Sequence, residues 1–368
     1  MIKLFEQDLN KSYLRSIEKS FKNDLWVNGK IVKKFEENIQ KKLKLKLKAI
    51  GCNSGSDALL IAHLLDRHPH KDIYITTPVS YLASSSIAKF LNLNLIYIDI
   101  EKHNYLLDLD KLENFLNRCE KKILKRIRGI INVELFGATN NLIRLKKLSK
   151  KYNLSLIGDC SQSIGSKFKD QSTINYYDYS VTSFYPTKLL SAYGDAGMVF
   201  VKKKHQNNAL LLRNNGHTTE NKNNCRLIGI NSRLDSFQAL ILDQKLKNLK
   251  KTLNIKKNFL KILKRNLPKQ FNLPIFDNGV ISNNYILSFY VNKFITKKFI
   301  NYMNKNGINC KVIYQKLLSE NKVLRPIINT NLLNAHKIKK TLVSIPSHQN
   351  LSSKDFFYII NKIKKFKF

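Results

Sequence analysis

Acidic residues, glycine, proline and paired cysteines are all scarce in this sequence of 368 residues. The 13 Gly and 7 Pro are too few for a collagen-like, low-complexity or linker-dominated architecture. The five cysteines lie far apart and form no Cys-x-x-Cys pair, which argues against a zinc knuckle and a disulfide framework. These absences predict an ordered protein whose thiols are reduced.

Long apolar runs are also missing. No stretch approaches the roughly 20 apolar residues that a membrane-spanning helix requires, so we expect no membrane insertion. The first ten residues become polar before an apolar signal core could form. We therefore expect a cytoplasmic location.

The shortage of acid leaves 65 Lys+Arg against 26 Asp+Glu and a formal net charge of +39. Such a charge raises nucleic acid as a partner, but nucleic-acid binding predicts basic residues that cluster on one face or in one arm. Here lysines are scattered from Lys3 to Lys367, mixed with Asn and Ile. We interpret most of the charge as solvated surface and do not expect nucleic acid as a partner; a polyanion-binding protein is the alternative.

Short apolar runs alternate with amphipathic stretches of helical length from about residue 47 onward. This alternation predicts an α/β fold with a mostly parallel sheet, whose ligands bind just after the carboxyl ends of the strands. The predicted strands cover residues 49–52, 73–77, 95–99, 128–133, 154–157, 179–184 and 197–201, and the predicted helices cover residues 57–65, 81–90, 109–123 and 142–152.

The last hundred residues read as a smaller α+β unit. A long helical stretch over residues 232–266 precedes Leu267-Pro268 and Leu273-Pro274, which break the pattern. Beyond them we predict strands at 285–291, 309–314 and 341–345, a helix at 297–305 and a final helix that begins near Ser352. The predicted domains are therefore residues 1–250 and 251–368.

Three motifs follow predicted strands. Asn53-Ser-Gly-Ser-Asp57 opens a helix, where backbone amides could bind a phosphate or Ser54 and Asp57 could simply cap. Asp159 ends an apolar strand, where a carboxylate could hold a cationic ring nitrogen or cap a turn. Lys188 lies just after a strand, preceded by Ser183 and followed by a glycine-containing turn, and a lysine there could form a Schiff base with an aldehyde cofactor. The histidines His63, His68 and His70 lack nearby acidic or cysteine ligands, so we predict no metal site.

Together these motifs resemble the DegT/DnrJ/EryC1/StrS family of pyridoxal-phosphate sugar aminotransferases. Their order and spacing match along nearly the whole chain, through Ser80-Tyr81, Gly158-Asp-Cys-Ser-Gln162, Ser183-Phe-Tyr-Pro-Thr-Lys188 and Gly229-Ile-Asn-Ser-Arg233. Val312-Ile-Tyr-Gln315 departs from an Ile-His-Tyr-Pro-like segment of the family, so Ile313 removes a polar group near the substrate. The resemblance implies a fold-type-I, aspartate aminotransferase-like transferase with a large cofactor domain and a smaller C-terminal domain.

The resemblance also implies a role for individual residues. Lys188 is the catalytic lysine that holds pyridoxal 5'-phosphate, Asp159 pairs with the ring nitrogen, and Gln162 lies near the ring and its 3-hydroxyl. Tyr81 stacks on the ring, while Gly55, Ser56 and Ser183 bind the phosphate. Asn231 reaches the phosphate in the neighbouring subunit's site, which implies a homodimer with shared active sites. The candidate substrate-binding residues are Tyr193, His217 and His348, each of which could instead be a solvated or packing residue.

The expected reaction follows from the same resemblance. It is the transfer of an amino group from glutamate, which leaves as 2-oxoglutarate, to a nucleotide-linked keto-deoxysugar for polysaccharide or glycoconjugate biosynthesis. The segment 231–239 favours a 3-keto sugar. A 4-keto sugar and a non-catalytic regulatory protein on the same scaffold remain the alternatives.

Overall fold

A seven-stranded sheet lies at the centre of the computed structural model, which describes residues 1–7, 13, 15, 25–218 and 223–367. The strand order is β1-β9-β8-β5-β4-β2-β3; β8, β5, β4, β2 and β3 are parallel neighbours, while β9 runs antiparallel to both β1 and β8. The carboxyl ends of β1, β2, β4, β5 and β8 therefore meet at one edge of the sheet.

The elements are numbered in chain order. The described helices are α1 (Lys30–Leu43), α2 (Gly55–Leu65), α3 (Ala83–Phe90), α4 (Leu109–Arg118), α5 (Lys121–Arg126), α6 (Leu142–Lys151), α7 (Gln206–Arg213), α8 (Ser236–Lys247), α9 (Leu249–Asn266), α10 (Thr296–Lys305), α11 (Leu333–Ile338) and α12 (Ser353–Lys365). The described strands are β1 (Lys48–Cys52), β2 (Ile73–Thr76), β3 (Asn94–Tyr97), β4 (Ile127–Val133), β5 (Ser155–Asp159), β6 (Lys167–Phe168), β7 (Gln171–Ser172), β8 (Tyr179–Ser183), β9 (Gly197–Val201), β10 (Val280–Ile281), β11 (Leu287–Tyr290) and β12 (Leu342–Ile345).

Both faces of the central sheet are covered, as the continuous apolar runs of its strands predict. In β9, Met198 and Phe200 belong to one core cluster, and the alternate residues Val199 and Val201 belong to a second. Successive side chains of a strand point to opposite faces, so two separate layers of helices pack on the sheet. Every residue of β9 is buried.

The C-terminal residues have a core of their own. Phe259 of α9, Phe289 of β11, Phe299 of α10 and Phe356 of α12 share a third cluster of buried side chains. Strands β11 and β12 pair antiparallel at its centre. The predicted domain boundary at residues 250 and 251 falls inside α9, whose residue Leu249 packs in the first cluster. The division into two domains stays a prediction.

Three predicted elements differ from the structure. The stretch 232–266 forms two helices that meet at Asn248, and the stretch 109–123 is interrupted after Arg118 by Cys119 and Glu120, which are not helical. The predicted strand at 309–314 is wrong. Only Lys311 pairs there, in an isolated bridge with Ser344, because the chain then turns so that Ile313 and Tyr314 face a cavity instead of a neighbouring strand.

Within the residues that the structure describes, the helices are all too short or too polar to span a bilayer.

Candidate active site

A cavity of about 390 Å³ opens at the sheet edge where the parallel strands end. Its wall includes residues that follow β1, β2, β4, β5 and β8, together with Phe5 and a C-terminal group that contains Tyr285 and Tyr314. Ligands of open α/β sheets bind at this edge. Seven of the predicted site residues line the cavity, namely Gly55, Ser56, Tyr81, Asp159, Gln162, Ser183 and Lys188.

The first turn of α2 provides one end of the cavity. Ser54 caps this helix, because its hydroxyl accepts a hydrogen bond of 3.0 Å from the Asp57 backbone N–H. The backbone amides of Gly55 and Ser56 belong to the same helix start, and the Ser183 hydroxyl lines the wall beside them. A helix N-terminus with free amides and a neighbouring hydroxyl favours a phosphate group.

Position 55 must be glycine because the start of α2 and strand β8 lie in direct contact there. A Cβ at this position would lie 2.7 Å from the Cβ of Ser183, so β8 and α2 touch only because the side chain is missing. We expect Gly55→Ala to push the helix start away from β8 and to weaken phosphate binding about 10- to 100-fold, which corresponds to about 1–3 kcal/mol of overpacking. Titration of the apoprotein with pyridoxal phosphate measures this.

Gly194→Ala is the matched control, because a Cβ there would meet only the movable side-chain amide of Gln238, at 2.9 Å. Equal affinity of Gly55→Ala and the wild type for pyridoxal phosphate would contradict a phosphate site at the start of α2.

Asp159 is the last residue of β5 and is buried. Its Oδ2 accepts a hydrogen bond of 2.6 Å from the Ser84 hydroxyl, and its Oδ1 accepts one of 3.2 Å from the Ser161 backbone N–H. The Ser84 and Ser80 hydroxyls are in turn 2.7 Å apart. These contacts fix the carboxylate in the cavity wall, where it can pair with a cationic group of a ligand.

Lys188 lies in a turn after β8, in which its backbone N–H donates to the Tyr185 carbonyl at 2.8 Å. Its Nζ is 5.4 Å from the centre of the Tyr285 ring. Burial lowers the pKa of the Lys188 ammonium to about 8, and the Asp159 carboxylate partly offsets this effect. A substantial share of the amine is therefore neutral near pH 8 and able to attack an aldehyde.

Gln162 is held by groups from two other parts of the chain. The Phe136 backbone N–H donates to its Oε1 at 2.8 Å, and its Nε2 donates to the Tyr314 hydroxyl at 3.0 Å. Phe136 has a φ of 52°, in the left-handed region that an aromatic residue rarely occupies. Such a conformation costs about 1–3 kcal/mol and persists only where the surroundings enforce it, as the Gln162 contact does here.

Glu134 is a site residue that the motifs did not indicate. It follows β4, lines the cavity and is fully buried. The hydroxyls of Ser163, Thr173 and Tyr177 all donate to its carboxylate. Burial raises its pKa, and these hydroxyls counteract the effect. Glu134 ends an apolar strand just as Asp159 does, so the same sequence signal would have found it.

Four of the predicted site residues are described by the structure but are not among the residues that line this cavity. Asn231 is exposed and pairs with Asn214 in an isolated bridge. His217 borders a different cavity, and Tyr193 is half-buried with its ring 4.6 Å from the Lys245 Nζ. His348 is buried, and its Nε2 lies 3.7 Å from the carboxylate of Glu6, next to Phe5 of the cavity wall. Their roles toward substrate or a second subunit stay predictions.

Tyr81 stands at the cavity mouth with 63% of its surface exposed. Such an aromatic face is available to cover a planar ligand. With the helix start at Gly55, the buried carboxylate of Asp159 and the amine of Lys188, the wall offers a phosphate site, a partner for a ring cation and a nucleophile for an aldehyde. This donor set fits pyridoxal 5'-phosphate, whose phosphate the backbone amides of Gly55 and Ser56 and the Ser183 hydroxyl would hold.

Solved structures with the same fold cover nearly the whole chain. A DegT DnrJ EryC1 StrS aminotransferase from Brucella abortus superimposes with a TM-score of 0.90 at 24% identity, over 96% of this chain and 95% of that one. Helicobacter pylori PseC, an aminotransferase involved in the biosynthesis of pseudoaminic acid, gives 0.88 at 21% identity, over 99% and 98%. At these identities the likeness shows the fold, and it confirms the predicted fold-type-I α/β architecture.

Curated relatives include two sugar aminotransferases. The UDP-2-acetamido-2-deoxy-3-oxo-D-glucuronate aminotransferase of Pseudomonas aeruginosa is 29% identical over 232 residues, and the match spans 62% of this chain and 62% of the relative. The UDP-4-amino-4,6-dideoxy-N-acetyl-beta-L-altrosamine transaminase of Campylobacter jejuni is 26% identical over 99% of both chains.

The cavity fits the cofactor of the pyridoxal-phosphate-dependent aminotransferases, the class of protein that the motifs predict. The profile of the DegT/DnrJ/EryC1/StrS aminotransferase family matches residues 7–364, and the chain belongs to that family. The predicted family and its cofactor are thereby confirmed.

Proposed function

We propose that this protein transfers an amino group from glutamate to a keto-deoxysugar linked to a nucleotide. The observation that carries the proposal is the cavity that brings together the amine of Lys188, the carboxylate of Asp159 and the helix start at Gly55. The names of the P. aeruginosa and C. jejuni relatives support a UDP-linked amino sugar as the product.

Pyridoxal phosphate supplies an aldehyde that captures the amine and a ring that withdraws electrons from the reacting carbon. In the proposed mechanism, the α2 N-terminus would hold the phosphate and the Asp159 carboxylate would keep the ring nitrogen protonated. Lys188 would hold the cofactor covalently until an amino donor displaces it. The freed Nζ would then move a proton from the donor's α-carbon to the cofactor carbon C4′, and in the second half-reaction from C4′ to the sugar carbon.

The pKa of Lys188 predicts how capture of the cofactor depends on pH. Only the neutral amine attacks an aldehyde. Because the pKa is lowered to about 8, the neutral fraction of the Lys188 amine increases as the pH rises through that value. We expect the rate at which the apoprotein captures pyridoxal phosphate to fall about tenfold for each pH unit below 8 and to level off above it. Stopped-flow absorbance measures the rate. A midpoint near 10, the ordinary lysine value, would show that Lys188 is not in the dry environment described above.

The ring position of the new amine is the finer part of the proposal. We favour a 3-keto sugar, which the segment 231–239 and the name of the P. aeruginosa relative support. A 4-keto sugar is the alternative, and the C. jejuni relative, which matches over 99% of its length, supports that reading. Ile313 in the cavity wall adds an apolar surface, which suits a deoxy position of the sugar.

A substrate panel tests the proposal. The holoenzyme is incubated with glutamate and with UDP-linked and dTDP-linked 3-keto and 4-keto sugars, and NMR of the product locates the amine. Formation of 2-oxoglutarate together with a 3-amino sugar supports the proposal. A 4-amino product replaces the 3-keto assignment, and the absence of any amino sugar from a protein loaded with pyridoxal phosphate overturns the nucleotide-sugar substrate.

We further propose a homodimer in which Asn231 contributes to the neighbouring site. Its exposure outside the cavity of its own subunit is compatible with such a contact. A cytoplasmic location in polysaccharide or glycoconjugate biosynthesis completes the proposal, and the five free cysteines fit a reducing compartment. Sedimentation of the holoenzyme and of an Asn231→Ala variant tests the assembly and the contact separately, because the variant should remain dimeric while losing affinity for pyridoxal phosphate.

A further inference from the structure

Lys256 is a buried lysine that the proposed reaction does not use. It lies in α9 with 2% of its surface exposed, and its Nζ donates hydrogen bonds to the carbonyl oxygens of Tyr285, at 2.8 Å, and of Ser347. The Ser347 hydroxyl is a third acceptor, at 3.4 Å. Among the described residues no charged partner offsets the burial, which lowers the pKa of the Lys256 ammonium to about 7. An amine buried without a counter-ion destabilises a fold, so we looked for what its contacts hold in place.

The two carbonyls belong to the point where a pair of strands opens. Strands β11 and β12 pair antiparallel, with Leu287 opposite Ile345. If that register continued by two residues, Tyr285 would lie opposite Ser347, but the described ladder ends at Leu287 and Ile345. Both carbonyls instead accept from the Lys256 Nζ. The amine therefore lies between the separated ends of the two strands and replaces the ladder hydrogen bonds that they do not form.

The opening of the strand pair leaves the Tyr285 ring in the cavity wall. The centre of this ring is 5.4 Å from the Lys188 Nζ, and the Phe5 ring stacks on it with centres 6.2 Å apart. The Tyr285 hydroxyl is 3.3 Å from the Oγ1 of Thr187, the residue before Lys188. The Tyr285 backbone N–H donates to the Asn283 Oδ1 at 2.8 Å. The ring is therefore fixed where it covers one side of the Lys188 amine.

We propose that Lys256 is a positioning residue, whose amine holds the ends of β11 and β12 apart so that the Tyr285 ring covers the Lys188 amine and keeps water from it. The inference rests on the proposed function, in which the Lys188 amine captures the cofactor and later moves a proton. The charge of Lys256 does not act on Lys188 directly, because the pKa of Lys188 is set by its burial and by the Asp159 carboxylate. The influence of Lys256 passes through the Tyr285 ring.

Lys256→Met tests the inference, because methionine is a flexible side chain of similar length that donates no hydrogen bond. With the two strand ends released, we expect water to reach the Lys188 amine and the midpoint of its ionisation to rise from about 8 by about one pH unit. The lost contact with the ring face acts in the opposite direction and is the weaker effect. The full chain without cofactor is acylated with a limiting amount of acetic anhydride over a range of pH, and peptide mass spectrometry measures the extent at Lys188.

A double-mutant cycle shows whether the effect passes through the ring. Tyr285→Leu removes the ring and keeps the backbone carbonyl that accepts from Lys256. We expect this variant to shift the Lys188 midpoint in the same direction and by a similar amount, and we expect Lys256→Met to cause no further shift when it is added to Tyr285→Leu. Shifts that add in the double variant would overturn the role through Tyr285, and so would a wild-type midpoint in either single variant.

Phe299→Leu separates positioning from stability. It opens a small cavity in the C-terminal core, where the Phe299 ring packs on other phenylalanine rings, and it should lower the melting temperature while leaving the Lys188 midpoint at about 8. The same shift in Phe299→Leu as in Lys256→Met would overturn the inference, because lost stability alone would then explain it. If Lys256→Met does not fold, Lys256→Gln, whose shorter amide cannot reach both carbonyls, takes its place with the same expected shift.

The proposed function fails separately from this inference. Acylation reports on the Lys188 amine without any cofactor, so the expected midpoints in the variants support the role of Lys256 on their own. A wild-type protein that shows these midpoints but does not take up pyridoxal phosphate would overturn the proposed function and leave the positioning role intact.

Discussion

Lys188→Ala is expected to abolish amino transfer, with a loss of at least about 1000-fold in kcat. One side chain serves two roles in the proposed reaction, as the covalent holder of the cofactor and as the group that moves the proton, and proton transfer alone contributes about 100- to 10,000-fold. The protein itself should fold, because burial already lowers the pKa of this lysine and removing a buried cation relieves that cost.

Borohydride makes the role of Lys188 visible without turnover. Reduction of the wild-type holoenzyme fixes the cofactor on the lysine that holds it, and peptide mass spectrometry is expected to find the label at Lys188. Lys188→Arg is informative beside the alanine variant, because it keeps the positive charge and lacks a nucleophilic amine. Lys203→Ala, in an exposed 3-10 helix, is the control that should keep wild-type activity. A label on another lysine would contradict the assignment of Lys188.

The sequence predicts best those strands whose apolar residues form a regular pattern. The seven strands of the central sheet were found within about two residues of their observed bounds, because strands buried on both faces are continuous apolar runs between turns. The predicted strand at 309–314 failed for a tertiary reason. Ile313 and Tyr314 line the cavity, while Cys310 and Val312 pack in the C-terminal core, so the segment does not pair as a strand.

In the site, too, residues at strand ends were predictable and residues brought in by tertiary packing were not. Lys188, Asp159 and Gly55 were predictable because they follow strands, and the ends of parallel strands meet at one edge whatever else the chain does. Phe5 precedes the first strand and Tyr285 belongs to the C-terminal residues, and only tertiary packing, in which their two rings stack, brings them to the cavity. A single sequence contains no periodic signal for such contacts.

The net charge of +39 does not show which lysines lie in special environments. Among the described lysines, Lys188 and Lys256 are those whose pKa is lowered by burial, to about 8 and about 7. Lys256 donates to the carbonyls of Tyr285 and Ser347, so it joins a cavity residue to the C-terminal loop that carries His348. A count of charged residues cannot separate such a lysine from the solvated majority.

Asp159→Asn is expected to reduce kcat about 100- to 1000-fold while preserving the fold. The two side chains have the same shape, and the asparagine oxygen can still accept from the Ser161 N–H. Its amide can donate to the Ser84 hydroxyl, which then donates to Ser80, so the hydrogen-bond chain is kept with its direction reversed. What is lost is the negative charge that stabilises a protonated ring nitrogen, and an interaction of about 3–4 kcal/mol accounts for the expected loss.

Loss of the Asp159 charge has a second, independent consequence at Lys188. The carboxylate raises the lysine pKa against the effect of burial, so its removal should lower that pKa further below about 8. The pH profile for capture of pyridoxal phosphate should then shift to lower pH, and capture at pH 7 should become faster in a variant whose turnover is far slower. Asp277→Asn, at an exposed position, controls for the general loss of one charge. An unchanged midpoint in Asp159→Asn would mean that the carboxylate and the amine do not share one dry site.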